Sequence, residues 1–254
     1  QRTSMSLKMN PQAEYSYIPA ITAYSGGVRS ADESEIVHAT LKTPVPWAKG
    51  FDAISDLLAS FELERSALCG VELRCEKPHS FDGFDAFNNA YENKLAQWGL
   101  IVEEENPIAR TNVAPAHLGP NQTEMHAFSF VRPSKCTEPS FVVAGAGDLI
   151  DQSLLVPESI VRVGEKSKAA WIARISQVMD EMETRMKTLG VSWHDASTVD
   201  VYCAADWMPY VEESMLARMG QSGLRGLHWY YSRPPIEGLT FEMDLRGVAQ
   251  EIWV

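Results

Sequence analysis

The chain has 254 residues, 45% of them hydrophobic and 22% charged, a composition typical of a globular protein with a sizeable core. Its 34 acidic residues outnumber the 22 basic residues, so the formal net charge is -12. Because nucleic-acid affinity comes largely from basic side chains that neutralise phosphates, this charge argues against a nucleic-acid partner.

Strand and helix patterns alternate along the first half of the sequence. Pro46 occupies a favoured first-turn position, and apolar residues recur after it at helical spacing from Trp47 to Phe61. The predicted elements are, in chain order, strands at 17–28 and 36–41, a helix at 46–61, a strand at 71–75, a helix at 84–98, and strands at 109–114 and 124–131.

A segment rich in proline and serine, residues 133–140, then reads as a linker. The same order of patterns returns after it. The second set of predicted elements comprises strands at 141–147 and 160–163, a long amphipathic helix at 168–189, a strand at 198–202, a helix at 209–219, and strands at 227–231 and 239–245.

The two halves can be compared residue by residue. One offset of 128 positions superimposes the apolar helix face of the first half on that of the second, and residues 71–75 on residues 199–203, including Cys75 on Cys203. This agreement predicts two tandem domains, at 1–132 and 141–254, joined by the linker at 133–140.

The segment Pro107-Ile-Ala-Arg110-Thr-Asn-Val113 precedes Glu124, which stands fourteen residues after the arginine in a predicted strand. Upstream, the second predicted helix contains Phe87-Asn88-Asn89-Ala90-Tyr91-Glu92. Together these elements resemble the RidA/YjgF family of reactive enamine and imine deaminases, whose signature is Pro-Ala-Arg-Ser/Thr-x-Val followed by a last-strand glutamate. The segments at 141–145 and 189–195 resemble that family's opening strand and the bend after its first helix.

The resemblance implies an α+β fold of two tandem RidA-like (chorismate-mutase-like) domains, each a mixed sheet with two helices on one face. It also implies hydrolysis of 2-amino acid enamines or imines to 2-oxo acids and ammonia, without a cofactor. Substrates of the 2-aminoacrylate or 2-aminomuconate type are expected. Family members typically form trimers with clefts between subunits, so a homo-oligomer is expected here too.

The residue types suit this chemistry. The guanidinium of Arg110 presents a fork of donors that fits a substrate carboxylate, and Glu124 could act first as proton donor and then as base toward water. Asn88, Asn112 and Tyr24 are further substrate-binding candidates. The alternative for Arg110 and Glu124 is a plain ion pair between strands, which contributes little at a surface.

The second half offers a weaker set. Glu242 stands where a last-strand glutamate is expected, and Arg225 is the candidate for its arginine, although Arg225 lacks the Ala-Arg-Ser/Thr flank. Arg233 and His228 compete for the same role. A degenerate second copy that mainly builds the oligomer is the other interpretation.

Other classes of function find less support in the sequence. The four cysteines form no C-x-x-C pair, which favours reduced thiols and a cytoplasmic location, and no apolar run is long enough to cross a membrane. The histidines and cysteines show no metal-ligand spacing, so no metal is expected. A non-catalytic ligand-binding or partner-binding protein on the same scaffold remains the main alternative to a deaminase, and the negative charge argues against ribonuclease activity.

Overall fold

The computed structural model describes residues 6–254, so the first five residues of the predicted first domain lie outside the described part. The fold is α+β, with two mixed sheets. The helices are α1 (Trp47–Ser60), α2 (Phe81–Gln97), α3 (Lys168–Leu189) and α4 (Ala217–Met219). The strands are β1 (Lys8–Met9), β2 (Tyr15–Tyr17), β3 (Gly27–Ser30), β4 (Ser34–Pro46), β5 (Leu68–Arg74), β6 (Ala109–Pro115), β7 (Glu124–Pro133), β8 (Phe141–Gly147), β9 (Thr198–Tyr202), β10 (His228–Tyr230), β11 (Ser232–Arg233), β12 (Glu242–Gly247) and β13 (Gln250–Trp253).

The first sheet has six strands in the order β11-β6-β5-β7-β4-β13. Helices α1 and α2 cover one face of it, because each carries an apolar stripe that includes Phe51 and Ile54 on α1 and Tyr91 and Leu95 on α2. Close approach of α1 depends on Gly50, since a Cβ there would lie 2.5 Å from Cβ of Met125 on β7. The helical pattern predicted from Pro46 is confirmed.

The second sheet has seven strands in the order β1-β2-β3-β8-β12-β9-β10. Helix α3 packs on it through the methionine-rich face predicted from the sequence, and its bounds coincide with the predicted helix at 168–189. Ser167 caps its first turn by accepting a hydrogen bond from the Ala170 amide, and Gly190 ends it with a left-handed φ of 73°.

Part of each sheet repeats the same topology. The order β4-β7-β5-β6 in the first sheet corresponds to β8-β12-β9-β10 in the second. In both, the first two pairings are antiparallel and the third is parallel. Four strands of each half therefore share one arrangement, with β6 and β10 in equivalent places.

The ends of the chain cross between the sheets. Strands β1 to β3, from the start of the chain, extend the second sheet through the pairing of β3 with β8. Strands β11 and β13, from the second half, pair with β6 and β4 of the first sheet. Residues 8–30, assigned by sequence to the first domain, thus form strands in the sheet of the second half.

Three local expectations differ from the structure. The predicted strand at 17–28 is divided between β2 and β3, because an irregular segment at 18–26 passes between the sheets. At 160–163 only a single bridge from Ile160 to Leu149 forms. The predicted helix at 209–219 is broken into a 3-10 turn, a π-helical turn at Glu212–Leu216 and the short α4.

The two sheets meet through polar side chains on the faces turned away from the helices. The Thr111 hydroxyl donates a hydrogen bond to Asp244 across the sheets at 2.7 Å, and Arg246 on β12 pairs with Glu251 on β13 at 2.6 Å. Thr111 and Asp244 are buried, and the bond between them takes the place of one to water. Within residues 6–254, no helix is long and apolar enough to cross a membrane.

Candidate active site

Arg110 lies on β6, on the face covered by α2, and is 3% exposed. Its Nη2 donates a hydrogen bond to Oδ1 of Asn88 at 2.7 Å. The guanidinium carbon lies 5.0 Å from the Tyr24 ring centre and 4.8 Å from that of Tyr91, with the rings of Phe84 and Phe87 slightly farther away. This aromatic surround holds the charge by cation–π contacts and supplies no carboxylate.

Several buried polar atoms around Arg110 have no hydrogen-bond partner among the described residues. They are Nη1 of Arg110, both amide atoms of Asn112, the Tyr91 hydroxyl and Nε2 of His79. Asn112 follows Arg110 by two positions on the same strand face, and the His79 ring stacks on Phe87. Because an unpaired buried polar atom costs roughly 1–3 kcal/mol, a group of them indicates a place where a polar ligand binds.

Glu242 supplies a buried carboxyl group from the second half. It lies on β12 and is 4% exposed. Gly145 and Gly147 on the neighbouring β8 leave room for it, since Cβ atoms at these positions would lie 3.1 Å and 3.4 Å from its oxygens. No described residue donates a hydrogen bond to this carboxyl group.

The environment of Glu242 keeps it protonated at neutral pH. Burial and then the nearby charge of Asp148 raise its pKa to about 8, although Arg110, Arg185 and Arg74 act in the opposite direction. Asp148 is itself fixed, because it accepts hydrogen bonds from the Thr240 hydroxyl and the amides just before β12. The site therefore holds a neutral carboxylic acid, a proton donor of the kind used in general acid catalysis.

The irregular segment between β2 and β3 links the residues just before β6, the Arg110 strand, to β8, the neighbour of the Glu242 strand. The Ser25 amide donates to the carbonyl of Ile108, next to β6, while the Ala144 amide of β8 donates to the carbonyl of Gly26. Arg110 and Glu242 do not form an ion pair, but each shifts the pKa of the other. The structure thus groups Arg110 with Asn88 and Tyr24, whereas the carboxyl group of Glu242 lies on the Thr111 and Gly145 side of β6, close enough to Arg110 for each to shift the pKa of the other.

Glu124 occupies a different place. On β5, Arg110 lies opposite Val71 and Glu124 lies opposite Arg74. Because side chains alternate along a strand, Val71 and Arg74 point to opposite faces, and so do Arg110 and Glu124. The expected approach of Arg110 and Glu124 across one cleft does not occur, since α2 covers one face of the sheet and Glu124 lies on the other.

Comparison with known proteins places the chain in a family. The family model described as 2-aminomuconate deaminase CnbZ matches residues 7–252. A protein from Comamonas testosteroni named 2-amino-5-chloromuconate deaminase is 37% identical over 239 residues, covering 93% of this chain and 94% of the relative. The chain belongs to the CnbZ family.

Solved structures show more remote similarity. A chorismatase aligns with a TM-score of 0.46 and 12% identity, covering 96% of this chain and 86% of that protein. A structure described as a probable translation initiation inhibitor from Rhodopseudomonas palustris aligns with a TM-score of 0.30 and 17% identity, covering 47% and 82%. The family assignment depends on the family model and the Comamonas relative alone.

The candidates for a second arginine in this CnbZ-family chain lie elsewhere. Arg225 donates hydrogen bonds to the carbonyls of His194 and Ala196, at the end of β9 opposite from Glu242. His228 pairs with Asp200 at 3.3 Å, and Arg233 pairs through its backbone with β6. The expected pairing of Arg225 with Glu242 is therefore not formed. Within residues 6–254, no three His, Cys, Asp or Glu side chains are grouped as a metal site would require.

Proposed function

We propose that the protein is a deaminase that hydrolyses a 2-aminomuconate-type enamine to the 2-oxo acid and ammonia, at a site shared by Arg110 and Glu242. Membership of the CnbZ family and the name of the Comamonas relative support this choice of substrate. The observation that carries the proposal is a buried, protonated carboxyl group near an arginine that has an unpaired nitrogen.

Arg110 orients the substrate. Its free Nη1 and the unpaired amide of Asn112 can bind the carboxylate next to the amino group, which Asn88 assists by holding Nη2 in place. A charge-assisted contact of this kind in a site closed to water is strong and directional. The reacting carbon is then held beside Glu242 rather than diffusing past it.

Glu242 handles the protons. The neutral carboxyl group gives its proton to the enamine carbon, which forms the iminium ion and leaves a carboxylate. That carboxylate takes a proton from water while the water oxygen bonds to C2, giving the carbinolamine. Glu242 then moves the hydroxyl proton to nitrogen, so that ammonia leaves, C2 becomes a ketone and the carboxyl group is neutral again.

We also propose that the two halves are tandem copies of one RidA-like unit, which the repeated strand order supports. In the domain assignment from sequence, the copies are 1–132 and 141–254.

We also propose a trimer of such chains, from the family resemblance, and a cytoplasmic location, from the cysteine pattern. Analytical ultracentrifugation of the purified chain tests the trimer, and a monomer at micromolar concentration would contradict it.

The decisive experiment compares the two glutamates. Ammonia release from 2-aminomuconate, generated in the assay, is followed for the wild type and for the isosteric variants Glu242→Gln and Glu124→Gln. We expect Glu242→Gln to lower kcat by about 100- to 10,000-fold, the usual contribution of a general acid–base group, and Glu124→Gln to stay near the wild type. The reverse result would return the catalytic role to Glu124, and wild-type rates equal to the spontaneous rate would leave a binding protein.

A further inference from the structure

Arg185 is a second buried arginine near the site and has no part in the mechanism above. It lies on α3 and is 3% exposed. Its Nε donates to Glu181 at 3.0 Å and its Nη1 donates to the carbonyl of Ala144 at 2.9 Å. No described residue accepts a hydrogen bond from Nη2, so one edge of the guanidinium fork is uncommitted.

The position of Arg185 relates it directly to Arg110. Its Nε lies 3.7 Å from the position of a Cβ on Gly26, while the Tyr24 ring lies 5.0 Å from the guanidinium carbon of Arg110. Tyr24 and Gly26 are two residues apart, so at most about 7 Å of chain separates their backbones. The two guanidinium groups therefore contact one short segment, and both are close enough to Glu242 to act on its pKa.

Electrostatics agree with this geometry. Arg110 and Arg185 both act to lower the pKa of Tyr24 and that of Glu242, against the larger effect of burial. Within 4 Å, Arg185 has the single carboxylate of Glu181, and Arg110 has none among the described residues. Asp148, the other carboxylate near Glu242, lies 3.9 Å from Arg174, so the charge of Arg110 has no counterion when Glu242 is protonated, which suits an anionic ligand.

We propose that Arg185 binds the second carboxylate of a 2-amino dicarboxylate whose first carboxylate is bound by Arg110. This assignment rests on the proposed function for its choice of ligand. It makes Arg185 a specificity residue, since a fork that is buried and half-committed binds a carboxylate strongly and leaves a monocarboxylate without a partner for it. The site would thereby select six-carbon dicarboxylates over small substrates such as 2-aminoacrylate.

Arg74, the other arginine near Glu242, is less suited to this role. Its guanidinium carbon lies 5.4 Å and 5.5 Å from the rings of Tyr202 and Tyr230, on the face between the sheets. Burial lowers its pKa, but Tyr202, Glu72 and Asp244 raise it. Its Nη2 is unpaired among the described residues, but Glu72, whose pKa is lowered, already supplies a negative charge within the polar layer that joins the sheets.

A matched pair of ligands tests Arg185 without turnover. Muconate and sorbate (2,4-hexadienoate) share a six-carbon diene and differ only in the distal carboxylate, and their Kd values are measured by calorimetry. The wild type should bind muconate more tightly. Arg185→Gln should weaken muconate binding by about 10- to 100-fold, the value of a charge-assisted contact, and leave sorbate within about twofold.

Controls separate recognition from structure. Glu181→Gln removes the negative charge beside Arg185 but keeps the guanidinium, so the preference for muconate should persist. If Arg185→Gln does not fold, Arg185→Lys keeps the charge but loses the fork and should retain only part of the preference. Equal wild-type affinity for both ligands, equal weakening of both in Arg185→Gln, or an unchanged preference in Arg185→Lys would overturn the proposal.

The outcome is independent of catalysis. A muconate preference that depends on Arg185, found together with no acceleration of ammonia release, would reject the proposed deaminase activity and keep the dicarboxylate site. Acceleration of ammonia release without such a preference would keep the activity and reject the role of Arg185.

Discussion

The two halves repeat one strand order, yet equivalent positions carry different chemistry. In the strand register, Thr111 lies opposite Glu72 in the first sheet and His228 lies opposite Asp200 in the second. Because Glu72 and Asp200 are equivalent at the offset of 128, Thr111 corresponds to His228, and Arg110 therefore corresponds to Leu227. The first half thus has the buried arginine, while the second has an apolar side chain that packs against its own core.

Glu124 and Glu242, which begin β7 and β12, differ in burial, and here the buried residue belongs to the second half. Glu124 lies opposite Arg74 and Glu242 lies opposite Tyr202, which are equivalent positions at the offset of 128. Glu124 is partly exposed, whereas Glu242 is buried beside two glycines. Each half therefore supplies one member of the proposed site, Arg110 from the first and Glu242 from the second.

The largest expected effect comes from replacing Arg110 by leucine, the residue type at the equivalent position of the second half. Arg110→Leu should lower kcat/KM for a 2-aminomuconate-type substrate by at least about 100-fold, because a charged contact to the carboxylate and the orientation it gives are both lost. The free energy of unfolding should hold or rise, since an unpaired buried charge is replaced by an apolar group. Urea denaturation alongside the rate assay checks both. An active leucine variant would contradict the site.

The protonation of Glu242 predicts that activity falls at alkaline pH. Only the neutral acid can protonate the enamine carbon, and the pKa of Glu242 is raised to about 8. We expect kcat/KM to fall about tenfold for each pH unit above 8. A pH–rate profile with its limb near the ordinary pKa of glutamate would show that a more exposed carboxyl group, such as Glu124, is responsible.

The same group makes stability depend on pH. The folded-state pKa of Glu242 lies above its unfolded value of 4.5, so its stabilising contribution is complete below pH 4.5 and is lost as pH rises through about 8. Glu242→Gln lacks this dependence. The free energy of unfolding of Glu242→Gln minus that of the wild type should therefore increase between pH 5 and 8, by up to about 1.4 kcal/mol per pH unit. Glu124→Gln is the matched control and should run parallel to the wild type.

A smaller effect is expected from filling the space at Gly145. A Cβ there would lie 3.0 Å from the Thr111 hydroxyl and 3.1 Å from Glu242, so one of these groups must shift by a few tenths of an ångström. Gly145→Ala should lower kcat/KM severalfold through misplacement of the acid. Gly223→Ala, whose Cβ would meet Leu216 at an ordinary 3.5 Å, is the control. Equal rates for the two variants would show that the position of Glu242 is not critical.

The sequence allowed prediction of most regular elements and of one member of the proposed site. Helical periodicity predicted α1 and α3, and the Ala-Arg-Thr element singled out Arg110, because these signals are local. The predicted helix at 209–219 was wrong as a continuous helix: a π-helical turn interrupts it at 212–216. Its propensities were helical, but propensity does not determine the hydrogen-bond register within a helix.

The proposed pairing of Arg110 with Glu242 could not be predicted from the sequence, for a geometric reason. Spacing along the chain favoured Glu124, only fourteen residues away, whereas Glu242 comes close through the packing of β8 beside β6. Gly145 and Gly147 were visible in the sequence, and their meaning as space for a carboxyl group appears only once β12 lies next to β8. Contacts between distant segments of this kind leave no periodic signal.

The smallest effect is expected at Arg225, the arginine that sequence spacing assigned to the second half. Its Nη1 donates hydrogen bonds to two backbone carbonyls, those of His194 and Ala196, in an exposed setting. Arg225→Ala should therefore cost about 1 kcal/mol of stability, as for ordinary hydrogen bonds, and leave kcat/KM unchanged. Since Glu242 lies at the other end of β9, a large loss of activity in Arg225→Ala could not arise within this chain's Glu242 site and would indicate a second site in the second half.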